Sequence, residues 1–277
     1  MRSALYVPGN RPELFDKALA GPADVVLLDL EDSVPLAQKE FARAEVAAWL
    51  RGLVVDRPRI WVRVNPGDLA PADLRAAAVP AVAAVCLAKT DSPQQVRAAV
   101  AILDQGGSGA HIQICPLLES AVAVLEARAI ATVPRVARLQ LGEADLCADT
   151  GIEPDAERTE LLAVRTQIVL ASAAAGIASP LAPVSTDFRD LDALRRSTRA
   201  LARLGFRGRA CVHPAQIPVV NDVFTPTAAE LARARDLLSR FHSATDGIAL
   251  DDRGRMVDEA VVRRARRLLA DAPHVPN

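Results

Sequence analysis

The chain alternates short apolar runs, each about the length of one buried strand, with helix-like segments, and nearly every run stops at a polar or charged residue. The runs are SALYVPG (3–9), DVVLLDLED (24–32), RIWVRVN (59–65), AVCLAK (84–89), 112–119, 138–142, a weaker one at 177–184, and RACVHP (209–214). They are apolar throughout rather than alternating, as parallel strands covered on both faces must be. Eight such strands with intervening helices in 277 residues predict an α/β fold, a (β/α)8 TIM barrel with a C-terminal helical extension. A doubly wound open sheet is the runner-up, but the strand count and the absence of GxGxxG weigh against it.

Helix signals support this frame. Asn10 with Glu13 fits a capping pattern. Asp91-Ser92-Pro93 reads as a cap followed by Pro at the first helical position. Asp190 can cap a helix over 191–204 that Gly205 ends, and Thr227 with Glu230 forms a capping box for 228–243. The expected domains are a barrel over 1–224 and an extension over 225–277. That extension reads as a helix, a hairpin-like segment (DGIALDDRGRMVD) and a last helix over 259–270, which Asp258 can cap.

Composition narrows the function classes. A net charge of -1 makes no electrostatic case for nucleic acid or an anionic membrane. Lysine occurs only at 17, 39 and 89, so the many arginines read as base composition rather than a basic surface. Residues 1–8 are too short and too soon interrupted for a signal segment, and no apolar run approaches a membrane span. Cys86, Cys115, Cys147 and Cys211 lack CxxC spacing, so free thiols in a reducing, cytoplasmic setting are expected.

Barrel enzymes carry their chemistry at the C-terminal strand ends. Here those ends are Gly9-Asn10-Arg11, Asp29/Glu31/Asp32, Arg63/Asn65, Lys89, Glu119, Glu143/Asp145, Thr186/Asp187 and His213. The densest stretch is 112–149, a strand–helix–strand unit with its helix at roughly 121–130. It delivers Glu119, Glu143 and Asp145 to one end of the sheet. Oxygen ligands on neighbouring strand ends suit a hard divalent cation such as Mg²⁺. The alternative for Glu119 and Asp145 is helix N-terminal capping. Arg63 can grip a substrate carboxylate bidentately or pair with the acidic end at 29–32. Lys89 reads as a Schiff-base lysine or as a supporting cation beside the acidic cluster. His213 reads as an acid or base, or as a structural residue before Pro214. Strand parity puts Gln113 on the same side as Glu119.

The motifs RSALYVPGNRPELFDKAL, DVVLLDLEDSV, RVNP, the LLES/GEADL pair, TDFRD, LGFRGRACVHPAQIPVVNDVFTP and GRMVDEAVVRRARRLL resemble the citrate lyase β-subunit-like proteins of the HpcH/HpaI aldolase superfamily. The resemblance runs nearly end to end. It implies a Mg²⁺-dependent barrel that makes or breaks a C–C bond next to a thioester. The family's metal ligands fall on Glu119 and Asp145, and its RxN arginine on Arg63. Its DLED carboxylates fall on Asp29, Glu31 and Asp32, around ordered water. The C-terminal segment of related lyases reaches a neighbouring subunit and supplies an Asp, here Asp258, which implies a homo-oligomer (trimer or hexamer). LAK at 87–89, PVSTDF at 183–188, Ala182, and Glu143 in place of the usual Ala depart from the pattern beside the mouth.

The implied reaction cleaves or forms a 3-hydroxy-acyl thioester of the citryl, malyl or citramalyl type. Its products are a 2-keto acid and an acetyl thioester, on CoA or an acyl carrier protein. Arg63, Asp258 and Glu31 would carry the reaction. Arg63, Glu119, Asp29, Asp32 and Lys89 would bind substrate. A malate-synthase-like or thioesterase output at the same site is the enzymatic alternative. A binding or scaffold subunit of a citrate-lyase-like complex is the non-enzymatic one.

Overall fold

The computed structural model describes residues 1–54, 59–105, 107–243, 249–250 and 254–270. The expected strands are all present: β1 (Ser3–Pro8), β2 (Val25–Asp29), β3 (Ile60–Val64), β4 (Val82–Leu87), β5 (Gln113–Leu118), β6 (Arg138–Leu141), β7 (Ala178–Leu181) and β8 (Arg209–Cys211). Their order is β7-β6-β5-β4-β3-β2-β1-β8, with every pairing parallel. The two ends of that order meet at Ala182. Its N–H donates to Gly208 O (2.9 Å), and its carbonyl accepts from Ala210 N (3.1 Å). The sheet is thereby a (β/α)8 barrel.

Register sorts side chains between inside and outside. Asp29 stands opposite Arg63, Arg63 opposite Cys86, and Cys86 opposite Cys115. Inside the barrel, Ala4, Val25, Leu181 and Ala210 pack with Tyr6, Trp61 and Val184. A second group, Leu27, Cys86 and Leu117, packs on the same Tyr6 and Trp61. Every residue of β2 is buried, as a strand covered on both faces requires. Gln113 is exposed at the N-terminal end of β5, where its Nε2 donates to His111 O. Parity gives it the side of Glu119 but the opposite end of the barrel. The cysteines are free thiols, with Cys86, Cys115 and Cys211 buried. Among the described residues no helix is long and apolar enough to cross a membrane.

Ser92 Oγ accepts from Gln95 N, and the Gln95 side chain returns the bond, a complete capping box before helix Pro93–Asp104. Asp190 caps helix Leu191–Leu204, which ends at Gly205 in the left-handed conformation (φ 115°). The Asn10/Glu13 pattern does not cap. The chain enters a 3-10 turn, Pro12–Leu14, from Arg11, and Asn10 Nδ2 donates to Gln38 Oε1 instead. The helix expected over 121–130 is two pieces, Ala121–Leu125 and Ala127–Ala131, separated at Glu126 (φ -87°, ψ 1°).

The chain forms two compact units, Met1–Asn221 and Asp222–Asn277. In the second, helix Ala228–Ser243 opens with the Thr227/Glu230 box. Ala249–Leu250 pairs antiparallel with Met256–Val257, and residues 251–253 of the expected hairpin-like segment lie outside the described residues. Val257 and Val262 pack on Leu237, Leu238 and Phe241. Asp258 caps helix Glu259–Ala270 by accepting from Val261 N (2.9 Å).

These end contacts separate two substitutions. Ser92→Ala is expected to lower stability by about 1 kcal/mol, read from urea unfolding midpoints. Asn10→Ala should stay within about 0.5 kcal/mol because it removes no cap.

Candidate active site

The C-terminal mouth of the barrel is organised by Arg63. The register that sets it beside Asp29 lets Nε and Nη2 each donate to one Asp29 oxygen at 2.6 Å, a bidentate pair. Nη1 lies 2.9 Å from Glu31 Oε2 and 3.4 Å from Asp32 Oδ2. The guanidinium carbon sits 4.8 Å from the centre of the Tyr6 ring, whose hydroxyl accepts from Gln140 Nε2 (2.9 Å). Of the two sequence readings of Arg63, the pairing with the acidic end is the geometry seen. Burial opposes ionisation of Asp29, but the Arg63 bonds outweigh it and hold that carboxyl below its ordinary range.

The loop after β2 is fastened from three sides. Asp29 accepts from Glu31 N (2.9 Å) and Ser33 N (3.2 Å). Lys39 Nζ donates to the carbonyls of Leu30 (2.8 Å) and Glu31 (2.7 Å). Asn65 Nδ2 donates to Leu30 O (2.8 Å) and to Asp73 Oδ2 (2.7 Å). Asp73 is fully buried and also accepts from Arg43 Nε (2.6 Å). Sequence reasoning missed Lys39 and Asp73. The only signal for Lys39 was its rarity, because both lie within helical segments with no strand end to mark them.

Glu119 and Asp145 do not cap helices. Ser120 Oγ takes Ala123 N at the first helix, and helix Glu143–Thr150 starts from Gly142 with no side-chain cap. Glu119 is 5% exposed, and its Oε1 accepts from Lys89 N (2.7 Å). That bond is aimed by a left-handed backbone at Lys89 (φ 50°), a conformation side chains seldom adopt. Gly142 leaves room for the carboxylate. A Cβ there would lie 2.7 Å from Glu119 Oε2 and 2.8 Å from Glu119 Cβ. Lys89 Nζ stands 3.5 Å from Asp145 Oδ1 and 3.6 Å from Glu31 Oε1, so its ammonium joins carboxylates from two strand ends while its amide holds the Glu119 carboxylate at a third. Burial, then neighbouring Asp145 and Glu31, push the Glu119 carboxyl up to about 7 against the Lys89 N–H bond. Burial and the bond to Asp32 push Glu31 up to about 7, against the pull of Arg63.

Among the described residues no three acidic, histidine or cysteine side chains converge as a ready cage for a metal. The donor set is nevertheless right for Mg²⁺, which takes one or two protein carboxylates and fills its octahedron with water and substrate. Among the described residues, the carboxylates of Asp29, Glu31, Asp32, Glu119 and Asp145 pair with just two cationic side chains, Arg63 and Lys89, leaving an excess of negative charge that a divalent cation would offset.

The remaining mouth residues have structural partners. Glu143 turns away from Asp145 and binds Arg165 and Arg158. His213 Nδ1 accepts from Ala215 N (3.1 Å), and its ring stacks on Phe188 with centroids 4.6 Å apart. Asp187 accepts from the main chain of Arg189 and Asp190 in a turn. Asp258 belongs to the second compact unit.

Fold and site together define a (β/α)8 barrel enzyme with an acidic, arginine-anchored mouth. The chain belongs to the HpcH/HpaI aldolase/citrate lyase family, whose model matches residues 2–214. It is 33% identical to the citrate lyase subunit beta-like protein of Deinococcus radiodurans over 98% of this chain and 96% of that one. It is 30% identical to (3S)-malyl-CoA thioesterase of Cereibacter sphaeroides, over 98% and 94%. The crystal structure of CitE from Mycobacterium tuberculosis with magnesium, acetoacetate and coenzyme A superposes with a TM-score of 0.79, at 34% identity, covering 98% of this chain and 97% of that one.

Asp29→Asn would leave the Arg63 charge buried without its main partner. The expected cost is about 3–5 kcal/mol, measured as a lower denaturant midpoint, with the mouth disordered before the barrel in hydrogen exchange.

Proposed function

We propose that this chain is a Mg²⁺-dependent carbon–carbon lyase acting on a 3-hydroxy-acyl thioester that carries a carboxylate, yielding a 2-keto acid and an acetyl thioester, or running the reverse condensation. The observation that carries the reading is the meeting of Glu119 and Asp145 around Lys89, with surplus negative charge beside the Arg63 guanidinium. Family membership and the magnesium, acetoacetate and coenzyme A bound by the Mycobacterium tuberculosis CitE support it.

Glu119 and Asp145 would hold the cation. Bound there, Mg²⁺ supplies Lewis acidity to the substrate's hydroxyl and carboxylate oxygens. The Nη1 edge of Arg63, shared by Glu31 and Asp32, faces charge that develops on the alkoxide or thioester enolate. Asp29 keeps that edge in place. Lys89 sits between Glu31 and Asp145, close enough to bind the substrate carboxylate. In the cleavage direction Glu31 accepts the hydroxyl proton and the hydroxyl carbon becomes the ketone. The C–C bonding pair moves into the thioester as its enolate. Asp258 of a second copy returns a proton to the acetyl carbon. The active unit is then a homo-oligomer.

Assay of citryl, malyl and citramalyl thioesters with Mg²⁺, following keto acid and free thiol separately, tests the reading. Keto acid without free thiol is the expected result, and free thiol without keto acid would assign hydrolysis. Glu119→Ala should retain its circular dichroism spectrum yet lose about a thousandfold or more in kcat/KM, the several kcal/mol that a Lewis acid contributes. Undiminished turnover in EDTA would sink the metal mechanism. Mixing inactive Glu119→Ala and Asp258→Ala chains should restore part of the activity when the site is shared between copies. No restoration would place Asp258 outside the chemistry.

A further inference from the structure

Glu143 opens the helix that carries Asp145, yet its own side chain is committed elsewhere. It is 5% exposed, and both of its oxygens are bound. Arg165 Nε donates to Oε1 (2.7 Å), Arg165 Nη2 to Oε2 (3.0 Å) and Arg158 Nη1 to Oε2 (3.1 Å). Arg165 lies on helix Leu162–Ala174, and its remaining nitrogen, Nη1, donates to the main-chain oxygen of Arg158 (3.3 Å). Arg158 thus closes a ring, giving its guanidinium to Glu143 and its carbonyl to Arg165. It does so with a left-handed backbone (φ 55°, ψ 44°), a state that persists only where the surroundings impose it.

Asp145 has no comparable support. Its side chain is 44% exposed, its ion-pair contact is Lys89 Nζ at 3.5 Å, and no hydrogen bond among the described residues ends on it. Where that carboxylate stands therefore follows from where the first turn of its helix stands. The turn is fastened at two points. Gly142 N donates to Leu118 O (2.9 Å), tying it to the strand that ends beside Glu119. Glu143, two residues before Asp145, ties it to the outer helix through a buried bidentate pair, the stiffest form of side-chain ion pair.

We propose that Glu143, acting through Arg165 and Arg158, is a positioning residue that sets the separation of Asp145 from Glu119 and so the affinity of the mouth for a divalent cation. This rests on the reading of those two carboxylates as the Mg²⁺ ligands. A bare structural role for the same ring would stabilise the outer layer and leave metal affinity alone, so the two roles separate in one measurement.

Calorimetric titration of the chelator-treated full chain with Mg²⁺ would compare wild type, Glu143→Gln and Arg158→Ala, alongside thermal melting of each. Glu143→Gln is expected to weaken Mg²⁺ binding roughly 10- to 100-fold, the range seen when groups supporting a metal ligand are removed. Arg158→Ala keeps the Arg165 fork and should weaken binding by a smaller factor. In both, kcat should return towards the wild-type value at saturating Mg²⁺. An unchanged dissociation constant in a folded Glu143→Gln chain overturns the proposal, even with a lower melting temperature. If Glu143→Gln does not fold, Arg158→Ala decides, and wild-type affinity there overturns it equally. A wild-type chain that takes up no Mg²⁺ overturns the metal reading itself, and this proposal with it.

Discussion

The bidentate pair between Asp29 and Arg63 is the interaction on which the rest of the mouth depends. It joins two adjacent strands side chain to side chain where their backbones are already in register. A buried ion pair is a poor source of net stability, since desolvation cancels much of the attraction. What this one provides is direction. With Nε and Nη2 committed to Asp29, only the Nη1 edge of the guanidinium is left for Glu31 and Asp32, above the ring of Tyr6. The loop after β2 then follows, because its amides close on Asp29 and its carbonyls on Lys39 and Asn65.

The second constraint is electrostatic. Burial discourages ionised carboxylates, and several gathered in one place discourage one another. Glu31 and Glu119 both show this as carboxyls pushed up to about 7. Lys89 offsets part of the repulsion, and its unusual backbone allows one residue to bind Glu119 through its amide while its ammonium reaches Asp145 and Glu31. Local strain, a glycine with no room for a Cβ and an uncompensated charge all meet within this one patch, which is how a site that must accept a cation differs from a packed core.

Much of this was legible in the sequence because parallel strands are apolar on both faces and a barrel concentrates polarity at one end. The eight runs, the barrel and the mouth residues Asp29, Arg63, Lys89, Glu119 and Asp145 follow from that pattern. Contacts made by residues away from strand ends were not legible. Lys39 and Asp73 lie in ordinary helical segments, and nothing local says that they hold the loop after β2 or its neighbour. Gln113 misled because parity reports a face and not an end. Asn10 misled because Pro12 starts the next turn as a 3-10 helix, which left the Asn side chain free for Gln38. Glu119 and Asp145 could be read as caps until the structure gave that work to Ser120 at the first helix and to no side chain at the second, which starts from Gly142.

The packing of Tyr6 has a consequence for traffic. Its ring lies under Arg63, its hydroxyl is bonded to Gln140, and the apolar groups around it fill the barrel beneath. The mouth is therefore a cup with a floor. With the interior beneath Tyr6 packed, no passage runs through the barrel at that level, so whatever reaches Arg63 arrives and departs by the C-terminal side.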